Sequence, residues 1–218
     1  MKKNRNIKKI LFLLTTFIFI MSCGNKTEAQ KTEEKKDEIV FANFRDIRDL
    51  NPHNYAGEMY AQNMLYEGLV KINNKGEIIP SLAEKWEISE DGKEYTFYLR
   101  KGVVFSDGEP FNSQAVKANF DAIMDNKERH GWLESVRLFD GFEMPDEYTF
   151  KIKMNDSYYP MLVELGVIRP FRFISPKAMK NGKTKNGVEG KYIGTGTYVL
   201  KQNAVDQEAI LEVKKKYW

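Results

Sequence analysis

The chain has 218 residues, of which 30% are charged, 13% aromatic and 42% hydrophobic, the mixture of an ordinary globular protein with apolar material for one good core or two small ones. Five lysines and arginines stand among the first 22 residues without a single acid, so the formal charge of +3 becomes −2 for the remainder. No basic stripe is left for nucleic acid, and the single cysteine excludes an internal disulfide.

Residues 2–9 form a basic leader, and residues 10–21 a mostly apolar run of about a dozen, suited to a signal-peptide core and short for a bilayer span of about 20. Ile20-Met21-Ser22-Cys23 resembles a bacterial lipobox, in which a small residue precedes the cysteine that receives diacylglycerol. The alternative is a cysteine closing a transmembrane anchor. Acyl chains on Cys23 would tether the protein, each buried methylene contributing about 0.8 kcal/mol. Residues 1–22 are therefore expected to be a lipoprotein signal peptide. Residues 23–37, rich in Lys, Glu, Thr and Gln, are expected to be a flexible tether, and residues 38–218 the folded lobe.

In the folded part, residues 38–44 (EIVFANF) read as the first strand. Pro52 biases Asn51 away from helix and marks a loop over residues 51–55, and the apolar spacing of Ala61, Met64 and Leu65 predicts a short helix within residues 57–67. Residues 69–72 and 77–79 flank a hairpin turn at Asn73-Asn74-Lys75-Gly76.

The organising stretch is residues 80–111. Trp86 and Ile88 precede an Asp91-Gly92 turn, and Tyr95, Phe97 and Leu99 alternate with Thr96, Tyr98 and Arg100, the period of a hairpin strand with one apolar face. A second turn at Ser106-Asp107-Gly108 leads to Asn112, a candidate N-cap for a helix reaching about residue 125 and burying Val116, Phe120, Ile123 and Met124.

Further on, a break and a short element are expected over residues 126–134, a strand over 147–154, a helix over 158–165 and irregular chain over 167–176. Residues 182–190 read as a mobile polar loop, Gly194-Thr195-Gly196 as a tight turn, and residues 198–200 and 209–213 as closing strands. The expected class is α+β, with mixed or antiparallel sheets and flanking helices.

Pro-Ser-Leu-Ala-Glu-Lys-Trp (80–86), Asp-Gly-Lys (91–93), Tyr-Thr-Phe-Tyr-Leu-Arg-Lys-Gly-Val (95–103) and Phe-Ser-Asp-Gly-Glu-Pro-Phe (105–111) are together similar to the signature of extracytoplasmic solute-binding proteins of family 5, the peptide- and nickel-binding receptors of ABC importers. Residues 50–53 (LNPH), 126–134 (NKERHGWLE), 157–160 (SYYP), 169–176 (RPFRFISP) and 193–196 (IGTG) resemble the nickel-binding branch. The resemblance implies the N-terminal lobe of a type II-like (cluster C) periplasmic binding protein, the second lobe being absent after Tyr217-Trp218 through truncation or frameshift.

It also implies a substrate-binding lipoprotein that captures a nickel–chelator complex for ABC permease subunits, outside the cytoplasm and as a monomer. By motif, Arg129 and Arg169 match arginines that clamp the carboxylates of a polycarboxylate or histidine-type chelator, while Tyr55, Met59 and Trp132 match residues lining the pocket beside the metal.

Each residue has its own physical case. A guanidinium presents a planar fork that pairs a carboxylate bidentately. Arg169, between Ile168 and Pro170, clamps a ligand or satisfies backbone carbonyls; Arg129, in a charged run, clamps or is a surface charge. Trp132 offers a flat face to a ligand or packs in the core, and Met59 gives a thioether contact or packs. His53 and His130, the only histidines, have no metal-ligand spacing, so no residue is expected to ligate metal directly. No catalytic motif is present, and the chain is expected not to be an enzyme. A peptide receptor of the same family and a lobe that binds nothing alone remain the alternatives.

Overall fold

The computed structural model describes residues 37–55, 57–189 and 191–218. The expected signal peptide, the lipobox with Cys23 and nearly all of the tether lie outside the described residues. The chain divides into two units, Met1–Ala42 and Asn43–Trp218. Of the first, residues 37–42 have no regular secondary structure, and Ile39, Val40 and Phe41 are exposed. The strand expected over residues 38–44 is thus not formed. Apolar spacing makes a strand only where a neighbouring backbone completes its hydrogen bonds, and none of the described strands pairs with this segment.

The second unit is built on a four-stranded antiparallel sheet of β3 (Ala83–Ile88), β4 (Glu94–Leu99), β5 (Phe139–Asp146) and β6 (Thr149–Met154), in the order β3-β4-β6-β5. Alternation in β4 buries Tyr95, Phe97 and Leu99, and alternation in β6 buries Phe150, Ile152 and Met154. Register sets Tyr95 opposite Ile152 and Phe97 opposite Phe150, so the two apolar rows form one face. Gly92, at φ 68°, closes the β3–β4 turn as its Asp-Gly sequence predicts. The smaller hairpin of β1 (Val70–Ile72) and β2 (Ile78–Pro80) precedes it.

On the apolar face lies α2 (Ser113–Asp125), whose first free N–H groups are capped by the Asn112 side chain accepting from the Ala115 amide at 3.1 Å. Its Phe120 is fully buried, with ring centres 5.5 Å from Phe150, 5.9 Å from Phe171 and 6.4 Å from Phe173. One aromatic side chain therefore joins helix, sheet and the irregular segment that carries Arg169.

Short helical pieces follow: α3 (Lys127–His130), α4 (Glu134–Arg137) and α5 (Met161–Gly166). A second apolar cluster gathers Leu50, Ala61, Leu65 and Tyr66 of α1 (Met59–Leu65) and its flanks with Ile174 and Met179, and β9 (Tyr198–Ala204) and β10 (Glu208–Val213) pack on it as a hairpin.

The region expected to be a mobile loop over residues 182–190 is instead β8 (Lys183–Val188), paired antiparallel with β7 (Met179–Lys180). Its lysines face solvent, Thr184 is buried, and Val188 packs partly buried on the second apolar cluster. Gly194 and Gly196 pass so close to the end of α1 that a Cβ would sit 2.0 Å from the Leu65 carbonyl oxygen and 2.4 Å from that of Met64, respectively. Packing against a backbone accounts for both glycines.

Candidate functional site

The loop 51–55 is a knot of buried polar groups. Asn51 donates through Nδ2 to the Thr184 carbonyl at 2.7 Å. His53 accepts from the Thr184 hydroxyl through Nδ1 at 2.9 Å and donates through Nε2 to the Arg172 carbonyl at 3.0 Å. Burial of its ring pushes the His53 pKa down to about 4, so the imidazole is neutral and this tautomer is the one the carbonyl demands. The loop bearing Tyr55 is thereby tied to both β8 and the segment bearing Arg169.

That segment is anchored from its other side. Phe171 and Phe173 enter the core. Asn119 of α2 holds Ile174 by accepting from its amide and donating to its carbonyl, both at 2.9 Å. The Arg172 guanidinium is buried and donates to the Gly166 carbonyl at 3.1 Å, with burial lowering its pKa to about 10. Trp132 is carried between α3 and α4, where Leu133 is buried and the Glu164 carboxylate of α5 accepts from the Ser135 amide at 2.9 Å.

These anchors converge on Tyr55. The Arg129 guanidinium carbon lies 5.5 Å from the Tyr55 ring centre and that of Arg169 lies 5.6 Å from the same centre. Each is within cation–π reach, so arginines from segments 40 residues apart share one aromatic ring as a neighbour. Burial draws the Arg169 pKa below its ordinary value, opposed by Tyr55 and Glu58. The Trp132 indole Nε1 donates to the Tyr55 hydroxyl oxygen at 2.7 Å, although the side chain is 62% exposed. That exposure removes the alternative of a core tryptophan. Burial raises the Tyr55 pKa and keeps the phenol neutral.

Of the five candidate pocket residues, the structure brings Tyr55, Arg129, Trp132 and Arg169 together. Met59 stands half-exposed at the first position of α1, four residues after Tyr55. A residue that sequence reasoning did not place at the site is His130: its Nδ1 is 2.8 Å from the Tyr55 hydroxyl and its ring 5.4 Å from the Tyr55 ring in an edge geometry. Its position between Arg129 and Trp132 in the chain was the available signal.

Among the described residues no group of three or more His, Cys, Asp or Glu side chains is arranged to hold a metal ion. A groove of about 530 Å³ beside the β3–β4 turn, lined by Glu90, Asp91, Lys93 and Lys153 among others, shares no residue with this cluster. Its lysines are already paired, Lys93 with Asp156 and Lys153 with Glu143.

The chain has the fold of type II periplasmic binding proteins. The solved structure of NikA from Brucella suis in complex with Fe(III)-EDTA superposes with a TM-score of 0.77 at 44% identity, covering 79% of this chain and 35% of that one. Residues 77–218 match the bacterial extracellular solute-binding proteins, family 5 Middle, and the chain belongs to that family. Among curated relatives, the nickel-binding periplasmic protein of Escherichia coli (strain K12) is 43% identical over 183 residues, 84% of this chain and 35% of the relative. The dipeptide-binding protein of the same organism is 32% identical over 176 residues, 71% of this chain and 32% of the relative. The chain thus spans about a third of the length of the curated relatives it matches. Members of the family are transport receptors that work with ABC permease components, and the relatives are periplasmic.

Proposed function

We propose that this lobe forms the carboxylate-gripping wall of a receptor that captures a nickel–chelator complex outside the cytoplasm and delivers it to an ABC permease. The observation that carries the reading is the convergence of Arg129 and Arg169 on the Tyr55 ring beside an exposed indole. Two guanidinium forks beside one ring suit an anion with several carboxylates, and a partly buried arginine stays charged for the purpose. The likeness to a structure holding Fe(III)-EDTA, itself an aminopolycarboxylate chelate, supports the same class of ligand. In this reading the chelator occupies the metal's coordination sites and the protein grips the chelator. Lipidation at Cys23 holds the receptor at the membrane, and loss of palmitate labelling in Cys23→Ser tests that part.

Paramagnetic broadening by Fe(III)–EDTA tests the wall directly. The Trp132 indole and the Arg129 and Arg169 guanidinium signals are expected to broaden first, and Arg169→Ala to weaken binding by about 10–100-fold, the worth of a charged hydrogen-bonded contact of about 1.5–3 kcal/mol. Unchanged affinity in Arg169→Ala removes the clamp. Calorimetry is expected to show heat for Ni(II) premixed with EDTA or L-histidine and none for bare Ni(II); tight binding of the bare ion refutes the reading.

The identity to a dipeptide-binding protein favours one second reading, in which the arginines grip a peptide C-terminus. A dipeptide competing better than Fe(III)–EDTA for the same signals would establish it.

A further inference from the structure

We propose that His130 is a positioning residue for the anion-gripping wall: its Nδ1 fixes the Tyr55 phenol, and through it the ring on which both guanidinium groups rest. The inference builds on the carboxylate-clamp reading.

Donor and acceptor chemistry at the phenol oxygen leaves one arrangement in which every near group is used. The Trp132 indole can only donate, so its 2.7 Å contact occupies a lone pair of the Tyr55 oxygen. The phenol's own proton then points to the acceptor 2.8 Å away, His130 Nδ1. That nitrogen must be unprotonated, which puts the imidazole proton on Nε2.

Nε2 is buried and has no hydrogen-bond partner, while the His130 side chain as a whole has no exposed surface. A buried donor without a partner destabilises the fold, and a tautomer that leaves one there has its compensation at the other nitrogen. The burial that keeps the ring neutral, reinforced by the charge of Arg129, also keeps Nδ1 available as an acceptor.

The mechanical consequence follows. Tyr55 follows a loop anchored at Asn51 and His53, and its hydroxyl is held from two sides, which fixes the far edge of its ring. Without His130 the hydroxyl keeps only Trp132, a side chain that is 62% exposed and so has few packing neighbours to fix it. The two like-charged guanidinium groups then lose their fixed common support, and their spacing, which selects the carboxylate geometry, is no longer set.

Three measurements on the 218-residue chain test this. Imidazole ¹⁵N shifts of the ligand-free protein near pH 7 are expected to show the Nε2–H tautomer at His130. His130→Phe, which fills the volume but accepts no hydrogen bond, is expected to weaken Fe(III)–EDTA binding at least tenfold and to mobilise the Tyr55 ring carbons. His130→Asn, whose Oδ1 stands in for Nδ1, is expected to restore affinity to within about threefold and to quiet the ring.

Protonated Nδ1, unchanged affinity in His130→Phe, or equal loss in both variants with native amide spectra each overturns the proposal. Should His130→Phe fail to fold, the tautomer and the His130→Asn ring signals still decide it. Should the parent chain leave Fe(III)–EDTA unbound, the clamp reading falls, while the tautomer and ring mobility in ligand-free protein judge His130 separately.

Discussion

Acid is expected to weaken this lobe through its two buried histidines, beginning above the pH at which carboxylates titrate. Burial pushes the pKa of both His53 and His130 down to about 4 from an ordinary value of 6.5. Between those values the unfolded chain binds protons that the folded chain refuses, so stability rises with pH across the window and is lost as pH falls from about 6.5 towards 4. Each histidine contributes a slope of at most about 1.4 kcal/mol per pH unit, and for His53, sealed on all sides, the integrated loss is about 3 kcal/mol. His130 adds in the same direction. Against a typical total of about 5–15 kcal/mol, that is a large share.

Carboxylates with lowered pKa values act lower. Asp91, bonded to the Ser89 hydroxyl, and Asp146, bonded to that of Thr149, lose their stabilising charge only as pH falls below the ordinary value of 3.8. Urea unfolding at pH 7.5, 6.5 and 5.5 reads the upper histidine window, above the ordinary carboxylate values, of which that of Glu143, lowered in the fold by Lys153, is 4.5. His53→Gln, which does not titrate, is expected to flatten the slope whatever its absolute stability. A wild-type free energy that stays constant from pH 7.5 to 5.5 would refute the reasoning.

Three other perturbations follow from named contacts. Gly194→Ala drives a Cβ into the Leu65 carbonyl and is expected to destabilise by about 3 kcal/mol, a fall in Tm of about 6–12 °C by calorimetry. Asn119→Ala strands the amide and carbonyl of Ile174 and is expected to cost about 2–4 kcal/mol in urea unfolding, with shifts in the Arg169 signals. Phe120→Ala empties the centre of the core and is expected to cost about 3–5 kcal/mol by the same assay.

What could be read in advance was local. The Asp91-Gly92 turn with its flanking alternation, and the Asn112 cap, are decided by residues a few positions apart, and both form as expected. Elements decided by distant partners were not legible. β5 carries Gly141 and Pro145, and its pairing with β6 shifts register twice, so no period of two survives in its sequence. β8 reads as polar because it is a short pairing whose one fully buried residue, Thr184, is itself polar. Residues 38–44 show the reverse case, a strand-like pattern with no partner among the described strands.

The same division runs through the site. Residue types suggested Arg129, Arg169 and Trp132 one at a time, but nothing in their spacing showed that Tyr55 would be their common neighbour. His130 escaped because a histidine was weighed as a metal ligand, whereas its environment makes it a hydrogen-bond acceptor.

Phe120 touches the sheet, the helix and the arginine-bearing segment at once, and that shared ring has a kinetic corollary. On the clamp reading, a binding wall tied to the core through this ring would need no cargo to take shape. An incoming anion would then meet forks already aimed, and its association rate is expected to follow ionic strength and diffusion, with no slow rearrangement of the lobe in between.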